Sequence, residues 1–121
     1  MPHLTLEYSA NLSALKGSAI LHKMNAALVD AGHVGERDVK ARSVAFDDFV
    51  VGLTPQGRGF VHLKLALLSG RDSAVKVQMS QLLLTVLSQT LAGNTDLDVQ
   101  MCVEILEIER TGFTKAVINL Q

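Results

Sequence analysis

Tryptophan is absent, and the 121 residues include one tyrosine, four phenylalanines, two prolines and one cysteine. Each shortage excludes something. With so few rings, the 48% hydrophobic fraction must build an aliphatic core. The lone Cys102 cannot close an internal disulfide, which fits a reducing compartment. Basic and acidic residues nearly cancel, 11 against 12, and no Lys/Arg run exists. A nucleic-acid footprint is therefore not expected. No apolar run approaches the length of a membrane span, so no membrane partner is expected either. No basic segment followed by an apolar stretch opens the chain, so no signal peptide is expected and the expected compartment is the cytoplasm. His3, His22, His33 and His62 fall at no ligand spacing, and no metal or other cofactor is expected. Gly57-Arg58-Gly59 is too short for a phosphate-cradling loop. Ser69 and Ser73 lack the His and Asp context of a nucleophilic triad.

What the chain has is a repeat. HLTLEY, residues 3–8, alternates Leu4, Leu6 and Tyr8 against His3, Thr5 and Glu7, the period of a strand. A helix is expected over Ser13 to Ala31, capped by Ser13, striped by Ile20, Met24, Ala27, Leu28 and Ala31, and stopped by Gly32. A second strand is expected from Val39 to Val51. The second half keeps this order: a strand over Gly59 to Leu68, a helix over Ser73 to Leu91, and a strand over Leu97 to Glu109. Met79, Leu82, Leu83, Val86 and Leu87 share one face of that helix. Val99, Met101, Val103 and Ile105 share one side of that strand.

Residues match across the halves as well. His3-Leu4-Thr5-Leu6 pairs with His62-Leu63-Lys64-Leu65, and Ser13-Ala14 with Ser73-Ala74, at an offset of about sixty residues. The fold expected is α/β (α+β): a duplicated βαβ unit giving a four-stranded sheet, parallel within each unit, with two helices on one face. The length suits one domain, 1–121, with pseudo-repeats at about 2–52 and 59–110. A tail, 111–121, carries Phe113, Val117, Ile118 and Leu120 and is expected to pack on something. The second sheet face needs cover, which points to an oligomer.

Chemistry is expected at Pro2. The repeat puts Pro2 and Phe60 at equivalent places, and only Pro2 can become a free amine. Met1 is a substrate for removal because proline is small, and the freed secondary amine becomes a general base once desolvation and nearby cations lower its pKa. Lys40 and Arg42 alternate with Val39 and Ala41, so both project from one face of the second strand. Their expected counterparts, Gln100 and Cys102, are uncharged. Arg71 sits in the turn before the second helix, where the helix N-terminus already favours anions. Arg58 is a weaker candidate in the loop.

These residues resemble a family. Met-Pro-His followed by Glu-Tyr-Ser-Ala-Asn-Leu, the stretch Phe60-Val61-His62-Leu63-Lys64-Leu65 with Ser69-Gly70-Arg71-Asp72, and Val103-Glu104-Ile105-Leu106-Glu107-Ile108 are similar to segments of 5-carboxymethyl-2-hydroxymuconate Δ-isomerases. These belong to the tautomerase superfamily. The resemblance implies a homotrimer, no cofactor, and catalysis by Pro2. It implies two cations: Arg71, and on the second strand Lys40 by direct alignment or Arg42 after a slip of two. A lysine holds a carboxylate as a point charge, without the bidentate fork of arginine. The implied reaction is ketonisation of an unsaturated 2-hydroxydienoate di- or tricarboxylate. The alternatives are a non-catalytic trimer that binds small carboxylates, and a proline-dependent hydratase or dehalogenase on the same scaffold.

Overall fold

The computed structural model describes residues 1–119, so Leu120 and Gln121 of the expected tail lie outside it. Alternation drives the strands. Leu4, Leu6 and Tyr8 of β1 (His3–Ser9) are buried, while His3, Thr5 and Glu7 on the opposite side are half-buried. The same pattern holds in β3 (Arg58–Leu68), where Val61, Leu63, Leu65 and Leu67 face inward. Helix α1 (Ala19–Asp30) lays Ile20, Met24 and Leu28 on this surface. Helix α2 (Ser73–Leu91) adds Met79, Leu83, Leu87 and Leu91, one residue per turn. Both helices therefore cover the same sheet face, and the core is one aliphatic cluster with Tyr8 at its edge.

The strands lie in the order β2-β1-β3-β4, with β2 (Lys40–Phe46) and β4 (Asp98–Ile108) at the edges. β1 pairs with β2, and β3 with β4, in parallel, while the two centre strands run antiparallel. Two βαβ units thus join across a local two-fold, as the repeat predicts. The first strand of each unit is central, where its buried leucines meet both helices.

The expectations differ from the structure at four places. The first helix begins at Ala19, not Ser13. Residues Ser13–Leu15 form a short 3-10 turn that buries Leu12 and Leu15, and Gly17 then takes a left-handed φ of 84° that no helix can contain. Ser18, not Ser13, occupies the cap position. The second strand ends at Phe46 rather than Val51, because its partner β1 ends at Ser9. Residues Ala27 and Ala31 lie off the buried stripe of α1. The repeat also shifts by register. Lys40 lies opposite His3 and Cys102 opposite His62, so the counterparts of Lys40 and Arg42 are Cys102 and Glu104, and that of Pro2 is Val61.

The second sheet face, away from the helices, is mixed: a polar centre is flanked by Val44, Phe46 and Leu106, each more than a third exposed. His62 Nε2 lies 2.8 Å from Glu104 and its Nδ1 3.7 Å from Glu7, while Lys64 approaches Glu7 at 3.2 Å. Phe60 packs against Phe46 and Phe49, with ring centroids 6.3 and 6.0 Å apart. A serine braces this corner: buried Ser9 accepts a hydrogen bond from the Phe60 amide at 3.0 Å. Among the described residues, no helix is long and apolar enough to cross a membrane.

Candidate active site

The parallel pairing inside each unit fixes which ends of the strands meet. β1 and β2 start at one end of the sheet; antiparallel β3, and β4 with it, finish there. Pro2, Lys40 and the Ser69–Asp72 turn are thereby gathered from three distant stretches of sequence. The Lys40 amide donates to the Pro2 carbonyl at 3.1 Å, extending the ladder one step beyond β1. Pro2 itself is buried. Pro2 is thus both buried and tied to the sheet through its carbonyl.

A cleft of about 300 Å³ opens at this point, lined by Met1, His3, Lys40, Phe113, Thr114, Lys115 and Ala116. Its far wall is the tail, which the sequence reading expects to pack without saying where. Lys115 reaches Asp38 at 3.5 Å, and Arg37 donates to Asn119 at 3.1 Å, so the tail is tied to the loop before β2 at two places. Lys40 donates its ammonium to the Asp38 carbonyl.

The electrostatics follow from these neighbours. The chain's own amine, on Met1, has its pKa lowered, first by burial and then by the positive charges of Lys40 and Lys115, with Asp38 opposing. His3 is lowered in the same way: burial first, then Arg42, Lys40, the amine and Lys115. Arg42 comes within 2.6 Å of His3 Nδ1. In the ladder His3 faces Lys40 and Thr5 faces Arg42, so His3 and Arg42 are diagonal neighbours, within reach for a long side chain.

The structure brings Pro2, Lys40 and, through His3, Arg42 together. Arg71 lies at the same end but donates to the His33 carbonyl at 2.7 Å, clamping the chain after α1. Its neighbour Asp72 caps α2 by accepting from the Val75 amide at 2.9 Å. Arg110 approaches the same turn, donating to the Ser69 carbonyl at 2.7 Å. Arg58 lies at the opposite end of β3, beside Asp98 of β4, and donates to the Val51 carbonyl at 3.1 Å. Sequence reasoning missed Lys115, Arg110 and the His3–Arg42 pair. Lys115 carried one weak signal, an isolated charge inside an otherwise uncharged tail. Among the described residues, no group of three or more His, Cys, Asp or Glu is placed to hold a metal ion.

A sheet of two βαβ units with its amino end built into the ladder is the tautomerase-like fold. The chain belongs to the 5-carboxymethyl-2-hydroxymuconate isomerase family, whose model matches residues 2–119. No curated protein matches the sequence. Among solved structures, a 5-carboxymethyl-2-hydroxymuconate isomerase from Deinococcus radiodurans R1 is similar at 28% identity, with a TM-score of 0.87 over 95% of this chain and 88% of that one. A 5-carboxymethyl-2-hydroxymuconate delta-isomerase is similar at 18% identity and a TM-score of 0.79, over 98% and 89%. A fused 4-OT, described as a symmetric trimer, shares the fold at 20% identity and a TM-score of 0.70, over 94% and 91%. Family and fold together make this an isomerase of the tautomerase kind.

Proposed function

We propose that the chain ketonises an unsaturated 2-hydroxydienoate carrying two or three carboxylates, with Pro2 as the proton carrier and no cofactor. The observation that carries the reading is the cleft: it opens on Met1, the residue whose removal would bare the Pro2 nitrogen. Lys40 and Lys115 line it, so an anionic substrate meets positive charge as it enters.

The steps balance as a tautomerisation. The Pro2 nitrogen takes the proton of the 2-hydroxyl, the double bonds shift along the chain, and the same proton or its equivalent is delivered to a carbon further along. A carbonyl replaces the enol and no atom is lost. A base is efficient when its pKa lies near the working pH, and the burial and ammonium groups that lower the Met1 amine would act in the same direction on a bared Pro2 amine. Lys40 holds a carboxylate and stabilises negative charge building at the 2-oxygen. Arg71 supplies a second carboxylate contact once it exchanges the His33 carbonyl for substrate. Arg42 acts beside Lys40 on the same strand. The neighbour described as a symmetric trimer supports the same assembly for this chain, with the helix-free sheet face and its exposed Val44, Phe46 and Leu106 turned toward other copies.

An ultraviolet assay with a panel of 2-hydroxydienoates differing in carboxylate number tests this, on protein whose mass confirms loss of Met1. Turnover that rises with carboxylate number and collapses in Pro2→Ala is expected. Equal turnover in wild type and Pro2→Ala refutes it, and turnover of haloacrylates in place of enols transfers the site to dehalogenation.

A further inference from the structure

We infer that His3 is a catalytic residue in its own right: a neutral hydrogen-bond donor whose Nε2–H holds the substrate's 2-oxygen, with Arg42 as the positioning residue that fixes its tautomer. This rests on the proposed function above and names a group that reading leaves unused.

Geometry carries it. Arg42 is permanently charged and has no acceptor, so a contact of 2.6 Å to Nδ1 requires that nitrogen to accept. An accepting Nδ1 leaves the proton of a neutral ring on Nε2. Nε2 has no hydrogen-bond partner among the described residues, and His3 lines the cleft. His3 also follows Pro2 directly, so base and donor move as one rigid unit on the end of β1. The side chains facing the ring are cationic, Lys40 and Arg42 from β2 and Lys115 from the tail, and the chain's amine adds to them whenever it is protonated. On β3 the residue opposite in the ladder is the apolar Ala66, and the diagonal neighbour is Lys64, which is paired with Glu7 at 3.2 Å. All of these charges oppose a second proton on the ring, so burial and surroundings both hold it neutral near physiological pH.

A neutral donor suits an enol–keto change. As the Pro2 nitrogen removes the hydroxyl proton, negative charge grows on the 2-oxygen, and a fixed N–H there stabilises the transition state more than the ground state. The guanidinium behind the ring polarises Nε2–H further, since hydrogen bonds in series strengthen one another. The ring proton stays on Nε2 throughout, so no extra proton acceptor is required.

The test has a spectroscopic arm and a kinetic one. Nitrogen-15 NMR of the His3 ring in the processed, assembled protein should show Nε2 protonated and Nδ1 bare across the neutral range. Arg42→Gln should raise the pH at which the ring takes its second proton. A ring protonated on Nδ1, charged at neutral pH, or indifferent to Arg42→Gln overturns the assignment, and this arm needs no substrate. In the kinetic arm, His3→Ala should lower kcat by about 10²-fold with little change in KM. His3→Gln, which keeps an N–H near the Nε2 position, should recover most of that loss, whereas His3→Asn should not. Equal kcat in the Ala and Gln variants, or an unchanged kcat in both, overturns the role. If Pro2→Ala also leaves kcat unchanged, the proposed reaction itself has failed; if Pro2→Ala collapses kcat and His3→Ala does not, only the His3 role has.

Discussion

Retention of Met1 should silence the protein without unfolding it. With Met1 in place the Pro2 nitrogen is an amide, whose lone pair is delocalised into the peptide bond and has no useful basicity. Two losses then combine. The general base is gone, worth roughly 10²- to 10⁴-fold in rate, or about 2.7–5.4 kcal/mol of barrier. The methionine side chain also lines the cleft of about 300 Å³, so it competes with substrate for the same space. Stability should not follow. The Lys40 amide still bonds the Pro2 carbonyl at 3.1 Å, and that contact does not involve the nitrogen. The measurement compares two preparations of one sequence, one processed to Pro2 and one holding Met1, separated by intact mass. The expected result is a fall of at least about 10²-fold in kcat/KM at unchanged Tm. A Met1-bearing sample within about tenfold of the processed one would show that the Pro2 amine is not the base.

Other outcomes are equally direct. Lys115 is one of the charges that lower the Met1 amine and would act alike on a bared Pro2 amine; Lys115→Ala should therefore move the acid limb of the kcat/KM–pH profile to higher pH, since the base works above its pKa, and an unmoved limb refutes the influence of Lys115. Arg71→Ala should raise KM for multi-carboxylate substrates more than it lowers kcat, read by steady-state kinetics on mono- and tricarboxylates. It should also loosen the chain at His33, seen as faster amide exchange there, because the 2.7 Å clamp is lost. Ser9→Ala strips a buried acceptor from the Phe60 amide, at a cost of about 1–3 kcal/mol. In a chain of this size that is a Tm drop of roughly 4–12 °C, read by calorimetry. No drop would mean the brace is idle.

How much of this is legible in the sequence differs by element. Helix α2 and strands β3 and β4 stand within a residue of their expected bounds: α2 and β3 keep their periods throughout and stop just before a Gly-containing turn, and β4 alternates from Asp98 to Ile105. The start of α1 deceives because Leu12 and Leu15 have helical spacing yet are buried through a tight turn, and the extended Lys16 and left-handed Gly17 separate that turn from the helix. The end of β2 is set by the length of its partner, which no local pattern encodes. At the site, Pro2 and Lys40 are readable because strand alternation and parallel pairing suffice to bring them together. The His3–Arg42 contact depends on cross-strand register, and the position of Lys115 on an irregular tail folding back over the start of the chain. Neither leaves a periodic trace.

Arg58 has a consequence of its own. It begins β3, and eight steps of strand separate it from Ala66, the residue paired with His3. At about 3.3 Å per step that is roughly 26 Å, several times the reach of an arginine side chain. A guanidinium so far away can help a reaction at Pro2 only if it is lent by a different molecule. Specific activity would then decline on dilution, and an inactive Pro2 variant mixed with an inactive Arg58 variant would regain turnover by exchanging partners.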